Sequence, residues 1–232
     1  MSDLHGRVVV VTGAGGSAGP PAVRALAGAG AHVIAVDREV SLVAPMAGER
    51  VSPAVVNLFD RGETLAWAAE LIERYGRVDG LVHLVGGWRG GKDIVDADPT
   101  DWPILQALLV ETLANAATGL HDAIKASDAG RLVIISATAV DKPTAKNAAY
   151  AAAKAAAETW VLACGQGWSD TEAAAVPLRI KALLTDAMRK AKPEAKFAGF
   201  THVDDLAQQI VALWDEPATK LNGRVRDLTV TP

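Results

Sequence analysis

The chain is poor in cysteine and in aromatic residues: it has one Cys, Cys164, and an aromatic share of 5% in 232 residues. A single thiol cannot close an internal disulfide, and the composition fits a reducing compartment. Cys164 sits in an alanine-rich helical stretch and reads as a small apolar filler, not a nucleophile. Positive charge is also scarce. Lys and Arg number 23 against 27 Asp and Glu, a formal charge of −4, and no dense basic cluster offsets it. That balance argues against a nucleic-acid partner. No apolar run reaches the roughly 18–20 residues needed to span a bilayer. The polar start Met1–Arg7 lacks a secretory pattern and leads straight into a strand-like run. A cytoplasmic protein with no membrane partner is the expectation.

What the chain does have is apolar mass, half of its residues, mostly of the kind that fills an α/β core. Short β-branched bursts alternate with longer helical stretches. Strands are predicted at Val8–Val11, His32–Val36, Val51–Leu58, Gly80–Val85, Arg131–Ser136, near Val176–Leu183 and at Val225–Val230. Helices are predicted at Ala22–Ala29, Glu63–Tyr75, Trp102–Ala126, Ala148–Cys164 and Val203–Trp214. Strands that are apolar throughout belong to sheets covered on both faces. Strict strand–helix alternation implies right-handed crossovers. The fold class is therefore α/β: a Rossmann-like, doubly wound, seven-stranded parallel sheet with helices on both faces. No linker or repeat interrupts it, so residues 1–232 read as a single domain.

Two features carry binding chemistry. Thr12-Gly13-Ala14-Gly15-Gly16-Ser17-Ala18-Gly19 follows the first strand and opens the first helix. Glycines there permit a tight turn and close approach of a pyrophosphate to backbone N–H groups. Asp37 ends the second strand, where an acid accepts hydrogen bonds from the adenosine ribose and repels a 2′-phosphate, which favours NAD over NADP. Arg38 beside it works the other way, because a guanidinium pairs with phosphate. Without a ligand, the same residues would be a connecting turn and a solvated acid.

A third feature carries reaction chemistry. Tyr150 and Lys154 lie four residues apart in a strongly helical stretch, so both side chains share one face. An ammonium held near a phenol stabilises the phenolate and turns an ordinary tyrosine into a usable acid or base.

Together these motifs resemble the short-chain dehydrogenases/reductases of the small, one-domain kind, over about Gly6 to Thr229. The family's Thr-Gly-x-x-x-Gly-x-Gly falls on Thr12 to Gly19, its Asn-Asn-Ala-Gly on His83-Leu84-Val85-Gly86, and its Tyr-x-x-x-Lys on Tyr150 and Lys154. Leu221-Asn222-Gly223 resembles the family's lead-in to the last strand. The resemblance implies cofactor contacts from Gly13, Gly16, Ser17, Ala18, Gly19, Asp37, Asn57, Leu58, Gly86, Tyr150, Lys154 and Thr185. It also implies that Lys154 binds the nicotinamide ribose and that the protein is a homodimer or homotetramer.

The chain departs from the family in several places. Ser17 stands for a glycine, Pro20 and Pro21 occupy the start of the first helix, and Asn57 stands for an adenine-contacting aspartate. His83 and Leu84 replace two asparagines. The catalytic serine, 13 residues before the tyrosine, falls on Ala137, flanked by Ser136 and Thr138. The asparagine of the long helix falls on Leu109, and Asn115 lies on another face of that helix. Ser136 is the candidate third catalytic residue, reached only if a bulge or loop rearrangement turns it toward the site. Two functions remain open. One is an NAD(P)-dependent oxidoreductase interconverting an alcohol and a ketone or aldehyde of a small molecule, with Tyr150 as general acid/base assisted by Lys154. The other is a catalytically impaired nucleotide-binding or partner subunit of the same fold. Walls of a substrate pocket are expected from Trp88–Lys92, Ala139–Asn147 and the basic segment Thr185–Phe200.

Overall fold

The computed structural model describes residues 2–229. The first half runs β1 (Val8–Thr12), α1 (Gly19–Gly28), β2 (His32–Asp37), the single turn α2 (Val40–Val43), β3 (Val51–Val55), α3 (Arg61–Tyr75) and β4 (Gly80–His83). The second runs α4 (Asp101–Gln106), a π-helical turn (Ala107–Glu111), α5 (Thr112–Ala126), β5 (Arg131–Ala137), α6 (Ala148–Gly167) and β6 (Ala174–Ile180). It closes with β7 (Leu183–Leu184), α7 (Asp186–Ala191), β8 (Thr201–His202), α8 (Val203–Ala212), α9 (Ala218–Leu221) and β9 (Arg226–Asp227).

Seven strands form one sheet in the order β3-β2-β1-β4-β5-β6-β9, and every pairing is parallel. The chain works outward from β1 through β2 and β3, then crosses back to place β4 on the other side of β1. Loops leaving the carboxyl ends of β1 and β4 therefore diverge and leave a crevice between them. Alternate strand residues feed two cores. Val9, Val11, Val33, Val133 and Val176 pack with Val23 and Leu26 of α1 and Leu206 and Ile210 of α8. Val8, Val10, Ile34, Leu81 and Leu132 pack with Leu71 of α3, Leu113 and Leu120 of α5 and Val161 of α6. The doubly wound, seven-stranded expectation is met.

Element boundaries moved where side chains compete with the ladder. The third strand stops at Val55, short of the predicted Leu58, because Asn57 N–H donates to Glu63 Oε1 and Asn57 Oδ1 takes the Phe59 amide. Pro53 is tolerated because β3 is the sheet edge. The first helix begins at Gly19 and holds both prolines in its first turn, where N–H groups lack helical acceptors anyway. The helix predicted over Trp102–Ala126 is interrupted by the π-helical turn. There the Thr112 hydroxyl donates to the Leu108 carbonyl at 2.8 Å, drawing it away from regular helical bonding. The sixth strand ends at Ile180, and Leu183–Leu184 pair separately with Thr201–His202. The last strand is only Arg226–Asp227, and Val230 of its predicted span lies outside the described residues. Among the described residues no helix is long and apolar enough to cross a membrane.

The end of the sheet away from the crevice is tied by one carboxylate. Asp79 is fully buried and accepts from the Val8 amide (2.8 Å), from Arg77 Nε (2.8 Å) and from the Ser127 hydroxyl (2.6 Å). It thus joins the start of β1, the start of β4 and the turn before β5. Asp79→Ala orphans the buried Val8 amide and the half-buried Ser127 hydroxyl, at about 1–3 kcal/mol each. The variant is expected to lose about 2–4 kcal/mol of unfolding free energy in urea. Wild-type stability would remove Asp79 from this role.

Candidate active site

The crevice holds two chambers that meet at Gly16 and Leu84–Gly86. The smaller, about 300 Å³, is lined by Gly13, Gly15, Asp37, Arg38, Asn57 and Leu58, among others. The larger, about 600 Å³, takes in Gly16–Ala18, His83, Ser136–Ala139, Tyr150, Lys154 and Ile180–Leu183. Residues expected at opposite ends of a nucleotide are thereby brought into one continuous cleft.

The turn after β1 is built for close approach. Gly13 has φ +69°, and a Cβ there would come 2.7 Å from the Val85 amide nitrogen. The amides of Gly16 and Gly19 are used inside the turn, on Gly13 O and Gly16 O at 3.0 Å each. Those of Ser17 and Ala18 make no hydrogen bond among the described residues, and both residues line the larger chamber. Gly19 is the first residue of α1, and the prolines behind it contribute no N–H, so Ser17 and Ala18 are the turn's donors for an anion. Asp37 accepts from Gly15 N–H at 3.0 Å and from Arg38 N–H at 2.8 Å, one bond per carboxylate oxygen, which leaves lone pairs for ribose hydroxyls. Arg38 leans toward Glu39, 3.8 Å away. These residues fit a dinucleotide.

Thr185 stands apart: its hydroxyl caps α7 by accepting from Met188 N–H at 3.2 Å, and it is not among the residues lining either chamber. Asn115 is buried and donates to the Leu58 carbonyl at 3.0 Å, bracing the smaller chamber. His83 is also a brace. Its Nδ1 meets Thr12 Oγ1 at 2.7 Å and its Nε2 meets Thr112 Oγ1 at 3.3 Å. Because the Thr112 proton is given to Leu108 O, Nε2 carries the imidazole proton and Nδ1 accepts from Thr12. Burial, reinforced by the charge of Lys154, pushes His83 down to about 3 and keeps it neutral.

Tyr150 and Lys154 lie on the first turns of α6 at the floor of the larger chamber. The Lys154 Nζ donates to the Ile135 carbonyl at 2.6 Å and sits 6.0 Å from the centre of the tyrosine ring. Burial lowers Lys154 to about 8, partly offset by Glu158 one turn on. Burial raises the Tyr150 phenol above its ordinary 10.0, the opposite of the lowering expected from a neighbouring ammonium. Leu109 packs with Leu105 and Ala153 against Tyr150, an apolar contact where a polar helix residue was expected. Ala137 ends β5 in the chamber wall. The Ser136 Oγ is shut off from solvent and has no hydrogen-bond partner, so it needs a shift to reach a substrate. The half-buried Thr138, also in the wall, makes no side-chain hydrogen bond among the described residues.

A family model described as short chain dehydrogenase matches residues 7–195. The chain belongs to the short-chain dehydrogenase family. It is 24% identical over 239 residues to an uncharacterized oxidoreductase of Staphylococcus haemolyticus (strain JCSC1435), covering all of both chains. It is 30% identical over 172 residues to a galactitol 2-dehydrogenase (L-tagatose-forming) of Cereibacter sphaeroides, with 72% of this chain and 67% of that one covered. Its fold superposes with a TM-score of 0.83 on a gluconate 5-dehydrogenase from Burkholderia cenocepacia J2315 in complex with NADP and tartrate, at 23% identity over 97% of this chain and 94% of that one.

This short-chain dehydrogenase carries an ion group beside the tyrosine–lysine pair that the sequence did not advertise. Arg179, at the end of β6, binds Glu158 through Nε (3.0 Å) and a terminal nitrogen (2.7 Å), and its other terminal nitrogen binds Asp141. The group joins β6, α6 one turn past Lys154, and the loop after β5. Its members lie 38 and 21 residues apart along the chain, so no local pattern reveals them.

Folded Lys154 titrates near 8 and an unfolded lysine near 10.5, so between these values the unfolded chain holds the extra proton and stability rises with pH. Wild-type stability relative to Lys154→Met is expected to climb between pH 8 and 10.5 in denaturation series at stepped pH. A difference that stays flat would place the ammonium in solvent.

Proposed function

We propose that this chain is an NAD(P)-dependent oxidoreductase that interconverts an alcohol and a ketone or aldehyde of a small-molecule substrate. Tyr150 is the general acid/base, assisted by Lys154, and NAD is preferred over NADP. The observation that carries this reading is the continuous cleft running from Asp37 past the Gly16–Ala18 turn to Tyr150 and Lys154. The galactitol dehydrogenase relative supports alcohol/ketone chemistry. Solved structures of this fold include NADP and NAD⁺ complexes, so the preference for NAD rests on Asp37.

The nicotinamide cofactor, when bound, supplies or accepts the hydride. The amides of Ser17 and Ala18 hold its phosphates, Asp37 its adenosine ribose, Asn57 and Leu58 the adenine side, and Gly13, Gly19 and Gly86 keep the cradle narrow. Thr185, two residues beyond the cleft-lining Leu183, would contact the nicotinamide end only after giving up its cap on α7. Tyr150, protonated at neutral pH, gives its proton to a carbonyl oxygen in reduction and must first lose it in oxidation. Lys154, charged below about pH 8, favours the phenolate that forms. Thr138 or a shifted Ser136 supplies the hydroxyl that Ala137 lacks. Reduction is therefore expected to weaken above pH 8, and alcohol oxidation to strengthen toward alkaline pH.

Tyr150→Phe is expected to lower NAD(H) turnover by roughly 10²–10⁴-fold, the usual worth of a positioned acid/base. Unchanged turnover would remove Tyr150 from the chemistry. Titration with NADH and NADPH, followed by energy transfer from tryptophan, should show tighter NADH binding and a narrower gap in Asp37→Ala. The second reading, a nucleotide-binding or partner subunit without turnover, is favoured by Ala137 in the chamber wall, by apolar Leu109 packed against Tyr150 and by the shut-off Ser136 hydroxyl. Nucleotide binding with no turnover across a carbonyl panel would select it. We further propose a homodimer or homotetramer pairing the α5 and α6 faces, with exposed Trp160 of α6 at the contact, to be read by light scattering.

A further inference from the structure

Beyond the reaction chamber lies a second cavity of about 600 Å³ between the loop after β4 and the start of α6. It meets the reaction chamber at Trp88 and Asn147, which line both. Trp88 is 60% exposed, Ile94 64% and Trp102 48%, so two indoles and a branched aliphatic chain surround one open space. Such a concentration of exposed apolar surface around a concavity is the usual mark of a ligand site.

The walls are fixed. Gly90 has φ +145°, and a Cβ on it would come 2.6 Å from the Lys146 carbonyl. Gly91 N–H donates to that same carbonyl at 2.8 Å, which docks the β4 loop onto the loop before α6. The Trp88 ring lies along this glycine pair, 3.5 and 3.6 Å from the places their Cβ atoms would take. Across the cavity, the buried Asp101 carboxylate accepts from Arg89 Nε at 2.7 Å. The Thr144–Asn147 capping box holds the third side.

The charge of the lining is then specific. Arg89 pairs with Asp101, and Lys92 and Lys146 are in no ion pair among the described residues; with Asp98 also in the lining and within reach of the charges of Arg89 and Lys92, three cations face two carboxylates and the cavity keeps one net positive charge. Apolar walls at Trp88, Trp102 and Ile94 with this net positive charge match a flat ring that carries an anion. The reaction chamber, also about 600 Å³, would hold part of the cofactor as well, so a substrate larger than a small alcohol or ketone extends past Trp88 and Asn147 into the second cavity.

We propose that this cavity is a distal subsite, binding the aromatic, anionic tail of a substrate whose carbonyl or alcohol reaches Tyr150. The proposal rests on the oxidoreductase reading for its reacting end, but the tail site is testable without turnover. The probe is 2-naphthoate, with 2-naphthamide as its uncharged counterpart, titrated calorimetrically into the full chain. Binding of 2-naphthoate is expected, at least about tenfold tighter than 2-naphthamide, and weakened about tenfold or more in both Trp102→Ala and Lys92→Ala/Lys146→Ala. No binding by the folded wild type, or affinity unchanged in either variant, would overturn it. Circular dichroism establishes that the variants fold, and Lys92→Gln/Lys146→Gln repeats the charge removal with longer side chains.

Turnover supplies an independent arm. The Lys92→Ala/Lys146→Ala variant is expected to lose about tenfold more of its kcat/KM on 6-acetyl-2-naphthoate than on a small ketone. Equal loss on both would overturn the subsite. Absence of turnover on any carbonyl would count against the oxidoreductase reading and leave the calorimetric result to decide the cavity. If Trp102→Ala changes the oligomeric state and leaves 2-naphthoate binding as it was, the cavity is an interface with a second copy, and the subsite is overturned.

Discussion

The arrangement of the cleft depends on one buried ammonium. Lys154 is out of water, its Nζ is fixed to the Ile135 carbonyl, and that bond pins the start of α6 to the end of β5. An amine in this position binds its proton less tightly and destabilises the fold at neutral pH, unlike an apolar residue of the same shape. A group retained against such a penalty marks a functional site more convincingly than a stabilising contact does. Tyr150 one turn earlier, the π-helical turn that brings Leu109 against it, and the Ala137 wall are all positioned by where this helix meets the sheet.

The ions around the lysine compensate for part of that penalty. Glu158, one turn beyond, places negative charge near the ammonium, and Arg179 fixes that carboxylate by binding both of its oxygens. Arg179 then reaches Asp141 in the loop that forms one wall of the reaction chamber. Loop, helix and sheet are thus joined through charge at the reactive end of the molecule, much as Asp79 joins strands and turn at the opposite end. In both places a buried charge is tolerable because it has several fixed partners.

Local patterns made much of this legible. The β-branched runs, their alternation with helices and the glycine turn after the first strand were enough for the parallel sheet and its nucleotide crevice, because periodicity and turn chemistry act over a few residues. Tyr150 and Lys154 were visible for the same reason, being one helical turn apart. Boundaries were less legible: the break in the long helix comes from Thr112, whose hydroxyl serves both Leu108 and His83 on a different strand. His83 is a hydrogen-bonded core residue whose partners, Thr12 and Thr112, lie 71 and 29 residues away along the chain and so leave no local pattern.

The sequence by itself determined the fold class, the place of the crevice and the identity of the tyrosine–lysine pair. It also showed that an alanine stands where a hydroxyl was expected. Tertiary structure alone decided that burial raises the tyrosine's pKa, that the Ser136 hydroxyl is closed off while Thr138 lines the cleft, and that Arg179 and Glu158 meet beside Lys154. It alone opened a tryptophan-lined cavity between the loop after β4 and the loop before α6, which meet at Gly91 and Lys146. The physical reason is range: helix and strand preferences are written between neighbours, whereas desolvation, ion pairing and cavity shape depend on which distant segments the sheet order brings together.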